Sequence, residues 1–130
     1  MKVYTFLTDG FETVEALAVI DILRRAGIEV ETVSITGNEQ VCSAQNITVT
    51  ADTLFKAQPV RKEDVLFLPG GPGHKQYNEC KLLLELLEKH HAEGGRIAAI
   101  CAAPSILGHL GILNGKKATA FPGFEKDLTG

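Results

Sequence analysis

The sequence predicts an α/β sandwich, a mostly parallel sheet with helices packed on its faces. Three observations carry this reading. Short, β-branched apolar runs alternate with helix-period segments through most of the 130 residues. The first 35 residues already spell one β-α-β unit, which demands parallel pairing and a right-handed crossover. The run Val65-Leu66-Phe67-Leu68 is apolar at every position, as a strand covered on both faces must be.

Taken in order, Val3 to Leu7 is a first strand that breaks at Thr8-Asp9-Gly10. From Glu12 to Ala26 the apolar positions Val14, Leu17, Ala18, Ile22 and Leu23 recur at helical spacing, and Gly27 supplies the stop. Ile28 to Ile35 alternates apolar and polar residues and reads as a second strand. Val41-Cys42-Ser43 and Ile47 to Thr50 then suggest a small hairpin insertion, with a helical turn over Thr53 to Ala57 before Pro59. After the third strand comes Pro69-Gly70-Gly71-Pro72-Gly73, which can only be a loop. Glu79 to Ala92 is an amphipathic helix with Leu82, Leu83, Leu86 and Leu87 on its apolar stripe and His90-His91 at a polar end. A fourth strand over Arg96 to Ile100, a helix running to about Leu113, and a fifth strand over Lys117 to Phe121 complete the single domain, 1–130. The expected topology is flavodoxin-like, a doubly wound, Rossmann-like sheet with strand order 2-1-3-4-5.

The totals exclude several function classes. A net charge of −3 provides no basic footprint for nucleic acid or an anionic membrane, and no apolar run approaches membrane-spanning length. The histidines lack metal-ligand spacing, so no metal or other cofactor is expected. Cys42, Cys80 and Cys101 are an odd set without framework spacing, which argues for a reducing, cytoplasmic setting. The start Met1-Lys2-Val3-Tyr4 goes straight into a strand, with no signal peptide in view.

Chemistry concentrates where the fourth strand meets the next helix. In Ala99-Ile100-Cys101-Ala102-Ala103-Pro104 a cysteine sits at a strand tip, flanked by small residues, with proline in the first helical turn. The pattern matches a nucleophile elbow with sulfur as the nucleophile. Unpaired N–H groups at the helix start favour a thiolate there. The competing reading is a small buried core cysteine. Parallel sheets carry their sites beyond the carboxyl ends of the strands. Three loops converge at that end, Asp9 to Glu15, Pro69 to Gly73 and Cys101 to Pro104. This favours the functional reading. Glu12 and Glu15, three apart, are neighbours in a first helical turn, where acidic residues also simply offset the dipole. Glu15 lies on the buried side. A protonated carboxyl there can donate to a thiolate. Gly70, Gly71 and Ala102 offer N–H groups for an oxyanion. The loop lacks the Lys-Ser/Thr of a phosphate-binding loop, and no G-x-G-x-x-G follows the first strand.

Asp9-Gly10-Phe11-Glu12-Thr13-Val14-Glu15, Leu68-Pro69-Gly70-Gly71 and Ala99-Ile100-Cys101-Ala102-Ala103-Pro104, supported by Arg24-Arg25-Ala26-Gly27, resemble the signature of the ThiJ/PfpI superfamily and of its DJ-one-like branch. The resemblance implies a flavodoxin-like fold, a homodimer, and a reactive Cys101 contacted by a protonated Glu15, with Gly70, Gly71 and Ala102 lining the anion pocket. It implies activity on small reactive aldehydes or glycated substrates, of the glutathione-independent glyoxalase or deglycase type. Its alternatives are an oxidative-stress sensor or chaperone using the same cysteine and, less favoured, a cysteine protease or amidase. Two departures bear on these expectations. Some members place a histidine before a proline after the fifth strand, where this chain has Phe121-Pro122, and His109 lies eight residues past the sulfur. Members also continue with a further strand and helix, so the domain is expected to lack those elements and to leave sheet edge and leucine surface uncovered.

Overall fold

The computed structural model describes residues 1–56 and 58–128. Its elements, in chain order, begin with β1 (Lys2–Leu7), α1 (Thr13–Arg25), β2 (Glu29–Ser34), β3 (Gln40–Cys42), β4 (Thr48–Thr50) and β5 (Thr53–Leu54). They continue with β6 (Val65–Leu68), α2 (Lys75–Glu79), α3 (Lys81–Ala92), β7 (Arg96–Ala99) and α4 (Pro104–His109). Single 3-10 turns cover Pro72–His74 and Glu125–Asp127.

Five strands form one sheet in the order β5-β2-β1-β6-β7, and every pairing in it is parallel. The α/β class and the flavodoxin-like parallel sheet are thus as the sequence predicts. β3 and β4 form the expected antiparallel insertion, with Val41 opposite Val49. Two details differ. Lys117 to Phe121 forms no strand, so the expected fifth position beyond β7 is empty among the described residues. Within that segment only Thr119 and Phe121 favour a strand, the two alanines and the lysine do not, and no neighbour offers a ladder. The fifth strand is instead β5, where a helical turn is expected over Thr53 to Ala57; Thr53 and Leu54 pair with Val33 and Ser34. Ala57, the end of that expected turn, lies outside the described residues.

Two layers cover the sheet. On one face Tyr4, Phe6, Leu66 and Leu68 pack with Leu83 and Leu87 of α3 and Ile106 of α4, all buried. On the other, Val3, Val30 and Phe67 pack against Ile20 of α1. The Arg24-Arg25-Ala26-Gly27 motif closes this second layer. Arg24 Nη2 donates to Val30 O at 3.0 Å and to Asp52 Oδ2 at 2.9 Å, while Asp52 also accepts from Thr32 N–H. Gly27 then takes φ +79°, the left-handed exit that glycine permits.

The apolar stripe of α1 is wider than its core contact. Ala16 and Ile20 are buried, but Val14 is 70% exposed and Ile22 64%, with Ala18 exposed between them. At the far end of the molecule, His90 is buried, with its Nε2 2.8 Å from Asp64 O, rather than lying at a solvated helix end. β7 is an edge strand with Arg96 and Ala98 exposed, and Ile100 just beyond it is exposed too. The expected uncovered leucine surface is smaller than the sequence implies, since Leu107 is buried and Leu110 and Leu113 are half-buried. No helix among the described residues is long and apolar enough to cross a membrane.

The loops beyond β1 and β6 are tied together by backbone. Gly73 N–H donates to Gly10 O at 3.0 Å, and a Cβ on Gly73 would lie 2.0 Å from Asp9 O. Only glycine lets the second loop pass this close to the first. Beneath them Tyr77, fully buried, donates its hydroxyl proton to Phe6 O at 2.8 Å. Burial pushes this phenol far above its ordinary range, so it stays a donor at any working pH.

Candidate functional site

β7 ends at Ala99 and α4 opens at Pro104, so four residues must turn the chain back over the sheet. Cys101 makes the turn with φ +64°, a left-handed conformation that costs a non-glycine residue about 1 kcal/mol or more. Neighbouring groups hold it there. Ala103 N–H donates to Ile100 O at 3.1 Å, and Phe121 N–H donates to Cys101 O at 2.8 Å. Ala102 and Ala103 are buried, which leaves no room for larger side chains under the elbow. The result is a half-buried sulfur held up at the carboxyl end of the sheet.

The glycine loop and the start of α1 meet this sulfur from the other side. Gly70 N–H donates to Glu15 Oε1 at 3.0 Å, and Glu12 N–H donates back to Gly70 O at 2.9 Å. The Glu15 carboxyl lies beside Cys101, across Gly70. Gly70 sits between them so tightly that a Cβ there would lie 2.6 Å from Cys101 Cβ and 2.8 Å from Glu15 Oε1. Gly71, at φ +108°, and Ala102 line the same cavity as Cys101.

Of the residues singled out from sequence, Cys101, Glu15, Gly71 and Ala102 therefore come together at the elbow. Gly70 has a different part from the one expected. Its N–H is spent on Glu15, so it positions the carboxyl rather than lining an anion pocket. The N–H groups that favour a thiolate are opposed by the rest of the surroundings. Burial pushes the Cys101 thiol up from its ordinary value, and Glu15 adds to this while it is ionised; the Ala102 and Gly71 N–H groups pull it down.

A cavity of about 260 Å³ opens on the sulfur, lined by Glu12, Gly71, Pro72, His74, Cys101, Ala102, Phe121 and Phe124. Its walls are largely apolar, with the charge of Glu12 on one side. Its size suits a small molecule rather than a folded polypeptide. His74 and Phe124 meet edge to face, their ring centroids 5.1 Å apart. Among the described residues no cluster of His, Cys, Asp or Glu is arranged to hold a metal ion.

A family model described as DJ-1/PfpI matches residues 1–130, the whole chain. The chain belongs to the DJ-1/PfpI family. It is 37% identical to the Drosophila melanogaster protein dj-1beta over 123 residues, which are 94% of this chain and 66% of the relative. It is 30% identical to a Pyrococcus abyssi protein named as a deglycase, over 98% of this chain and 76% of that one. The solved structure of oxidised Toxoplasma gondii DJ-1 superposes with a TM-score of 0.91 at 36% identity, covering 99% of this chain and 73% of the other. The chain thus spans just under two thirds of the Drosophila relative's length.

Sequence reasoning missed His74, Phe124 and the place of Glu12 in the cavity wall. His74 does carry a signal, because it stands three residues beyond Gly71, close to the turn that faces the sulfur. Phe124 carries none, since residues 114–124 have no regular period.

The wedge at Gly70 yields a direct test of the Cys101–Glu15 contact. Gly70→Ala must drive the two side chains apart, so the midpoint of the pH dependence of Cys101 alkylation should move toward that of a free thiol, about 8.5. A thermal melt checks that the variant is folded, with a loss of about 1–3 kcal/mol expected from overpacking. An unchanged midpoint in a folded variant would show that the contact does not govern the sulfur.

Proposed function

We propose that this DJ-1/PfpI chain is a cysteine enzyme for small reactive aldehydes, of the glutathione-independent glyoxalase or deglycase type. The observation that carries the reading is the strained Cys101, packed beside Glu15 across Gly70 and lining a small apolar cavity with Gly71 and Ala102. The name of the Pyrococcus relative adds support.

In the reacting form, the proton shared by the pair sits on Glu15 and the sulfur is a thiolate. A protonated Glu15 no longer repels the thiolate but donates to it, while Oε1 continues to accept from Gly70 N–H. Sulfur adds to the aldehyde carbon of a 2-oxoaldehyde such as methylglyoxal, and the carbonyl electron pair moves onto oxygen. Gly71 and Ala102 N–H groups stabilise that oxyanion until it takes the proton from Glu15. The ionised Glu15 then removes the hydrogen on C1 and delivers it to C2, while the hydroxyl proton passes from the first oxygen to the second. The hemithioacetal has become a thioester of a 2-hydroxy acid. Water cleaves the C–S bond and frees both the acid and the sulfur.

A second reading keeps the same atoms but omits turnover. Cys101 is oxidised to the sulfinic state and held by Glu15, as in a redox sensor. The existence of a structural relative in an oxidised form favours considering it. We place either activity in a reducing compartment, since Cys42, Cys80 and Cys101 are all unpaired.

We also propose that the chain pairs with a second copy through α1. Val14, Ala18 and Ile22 form one exposed stripe at i, i+4 and i+8, and the insertion adds Ile47, 47% exposed. Asp21 and Arg25, paired at 2.8 Å on the same helix, are self-complementary across a two-fold axis. Val14→Glu together with Ile22→Lys should halve the mass seen in sedimentation; an unaltered mass would rule this face out as the interface.

For the activity itself, methylglyoxal given to the pure protein should yield lactate without glutathione. Cys101→Ala should lower the rate by about 10³-fold or more, whereas Cys42→Ala and Cys80→Ala should stay within about twofold of wild type, as expected for positions outside the site. Mild peroxide followed by mass spectrometry separates the readings. Selective sulfinic acid at Cys101 with no lactate would replace the enzyme by the sensor.

A further inference from the structure

We infer that His74 is a catalytic residue of this site, the base that activates the water cleaving the thioester on Cys101. The inference rests on the aldehyde chemistry proposed above and supplies the proton acceptor that its last step needs.

His74 is held by its own loop. Its backbone N–H donates to Gly71 O at 3.0 Å, and its ring Nδ1 lies 3.1 Å from the same oxygen. A carbonyl oxygen only accepts, so Nδ1 must carry the hydrogen. The neutral ring then presents a lone pair at Nε2, and the tautomer is fixed by backbone rather than left to chance. The edge-to-face contact with Phe124, at 89°, holds the ring plane.

Nε2 has no partner among the described residues, yet it is not sealed. Thr5 Oγ1 is the only buried side-chain N or O atom without a partner among them. His74 is 8% exposed and lines the cavity that Cys101 also lines. Water admitted to that cavity has a lone-pair acceptor and the substrate's carbon within the same small space.

The other candidates for this task are already engaged or lie elsewhere. Glu15 Oε1 is bound to Gly70 N–H and packs beside Cys101. Glu12 also lines the cavity, but no hydrogen bond of its side chain among the described residues fixes it there, whereas His74 is held by Gly71 O. His109 pairs with Asp127 at 3.0 Å, and His90 is buried against Asp64 O at the opposite end of the sheet.

The step balances without a further reactant. Water gives a proton to Nε2, and its oxygen adds to the thioester carbon. Gly71 and Ala102 N–H groups hold the oxyanion as the C–S bond breaks. The sulfur leaves with the electron pair, and the proton on Nε2 returns to the Cys101–Glu15 pair.

His74→Asn and His74→Ala, with methylglyoxal as substrate, test the assignment. Asparagine can still donate to Gly71 O but has no acceptor at the Nε2 position; alanine loses both. Both variants should consume one aldehyde per Cys101 in a burst and then turn over at least about 100-fold more slowly than wild type. Intact mass should show the adduct accumulated on Cys101, and added imidazole should restore turnover. If His74→Ala fails to fold, His74→Asn with imidazole decides. Full turnover by His74→Asn would overturn the assignment and leave His74 as a clamp on Gly71. Absence of adduct in a slow variant, or no rescue by imidazole, would overturn it too. A wild type that never turns over would instead remove the aldehyde reading on which the assignment stands.

Discussion

The hydrogen bond from Gly70 N–H to Glu15 Oε1 is the constraint on which the rest of the site depends. With its return partner, Glu12 N–H to Gly70 O, it joins the start of α1 to the loop after β6 by two bonds of 3.0 and 2.9 Å. The loop after β7 is then fitted against this pair with no space to spare, since Gly70 has no side chain to keep Cys101 and Glu15 apart. A parallel sheet brings three loop ends to one edge by topology alone. What turns proximity into contact is the absence of a single methyl group at Gly70 and the bond that its N–H makes.

The same arrangement explains why strain sits at Cys101. A residue in the left-handed region costs free energy, and that conformation persists only where surrounding bonds overdetermine it. Here the carbonyls on either side of the turn, Ile100 O and Cys101 O, accept from Ala103 and Phe121 N–H, and the buried Ala102 and Ala103 fill the space below. The fold thus presents sulfur at the end of the sheet, where two N–H groups can meet charge developing beside it. His74 extends this logic to the loop from β6. Its clamp on Gly71 O fixes its own tautomer and ties the ring to the glycine loop that lines the cavity with Cys101.

Much of this is legible in the sequence because it depends on period and punctuation. Uniformly apolar Val65 to Leu68, the glycine run after it and the Cys-Ala-Ala-Pro elbow each have one favoured backbone, and all three lie where expected. Pairwise facts are harder to read. Lys117 to Phe121 has some strand-like residues, but a strand exists only with a ladder partner, and propensity carries no information about that. Thr53-Leu54 reads as a helical turn because Pro59 follows; its pairing with Val33 and Ser34 decides otherwise. In α1 the apolar positions exceed those the sheet can cover, so periodicity marks Val14 and Ile22 as core when they face outward. Gly70 reads as a donor from sequence alone, but the recipient, Glu15 Oε1, emerges only in three dimensions.

The enzyme proposal requires that Cys101 and Glu15 share one proton, held by the carboxyl in the reacting form while the sulfur is a thiolate. Infrared difference spectroscopy between the wild type and Glu15→Gln at neutral pH addresses it directly. A protonated-carboxyl C=O band belonging to Glu15, with no S–H stretch assignable to Cys101 against a Cys101→Ala reference, is the expected result. A carboxylate band from Glu15 together with an S–H stretch from Cys101 would contradict it.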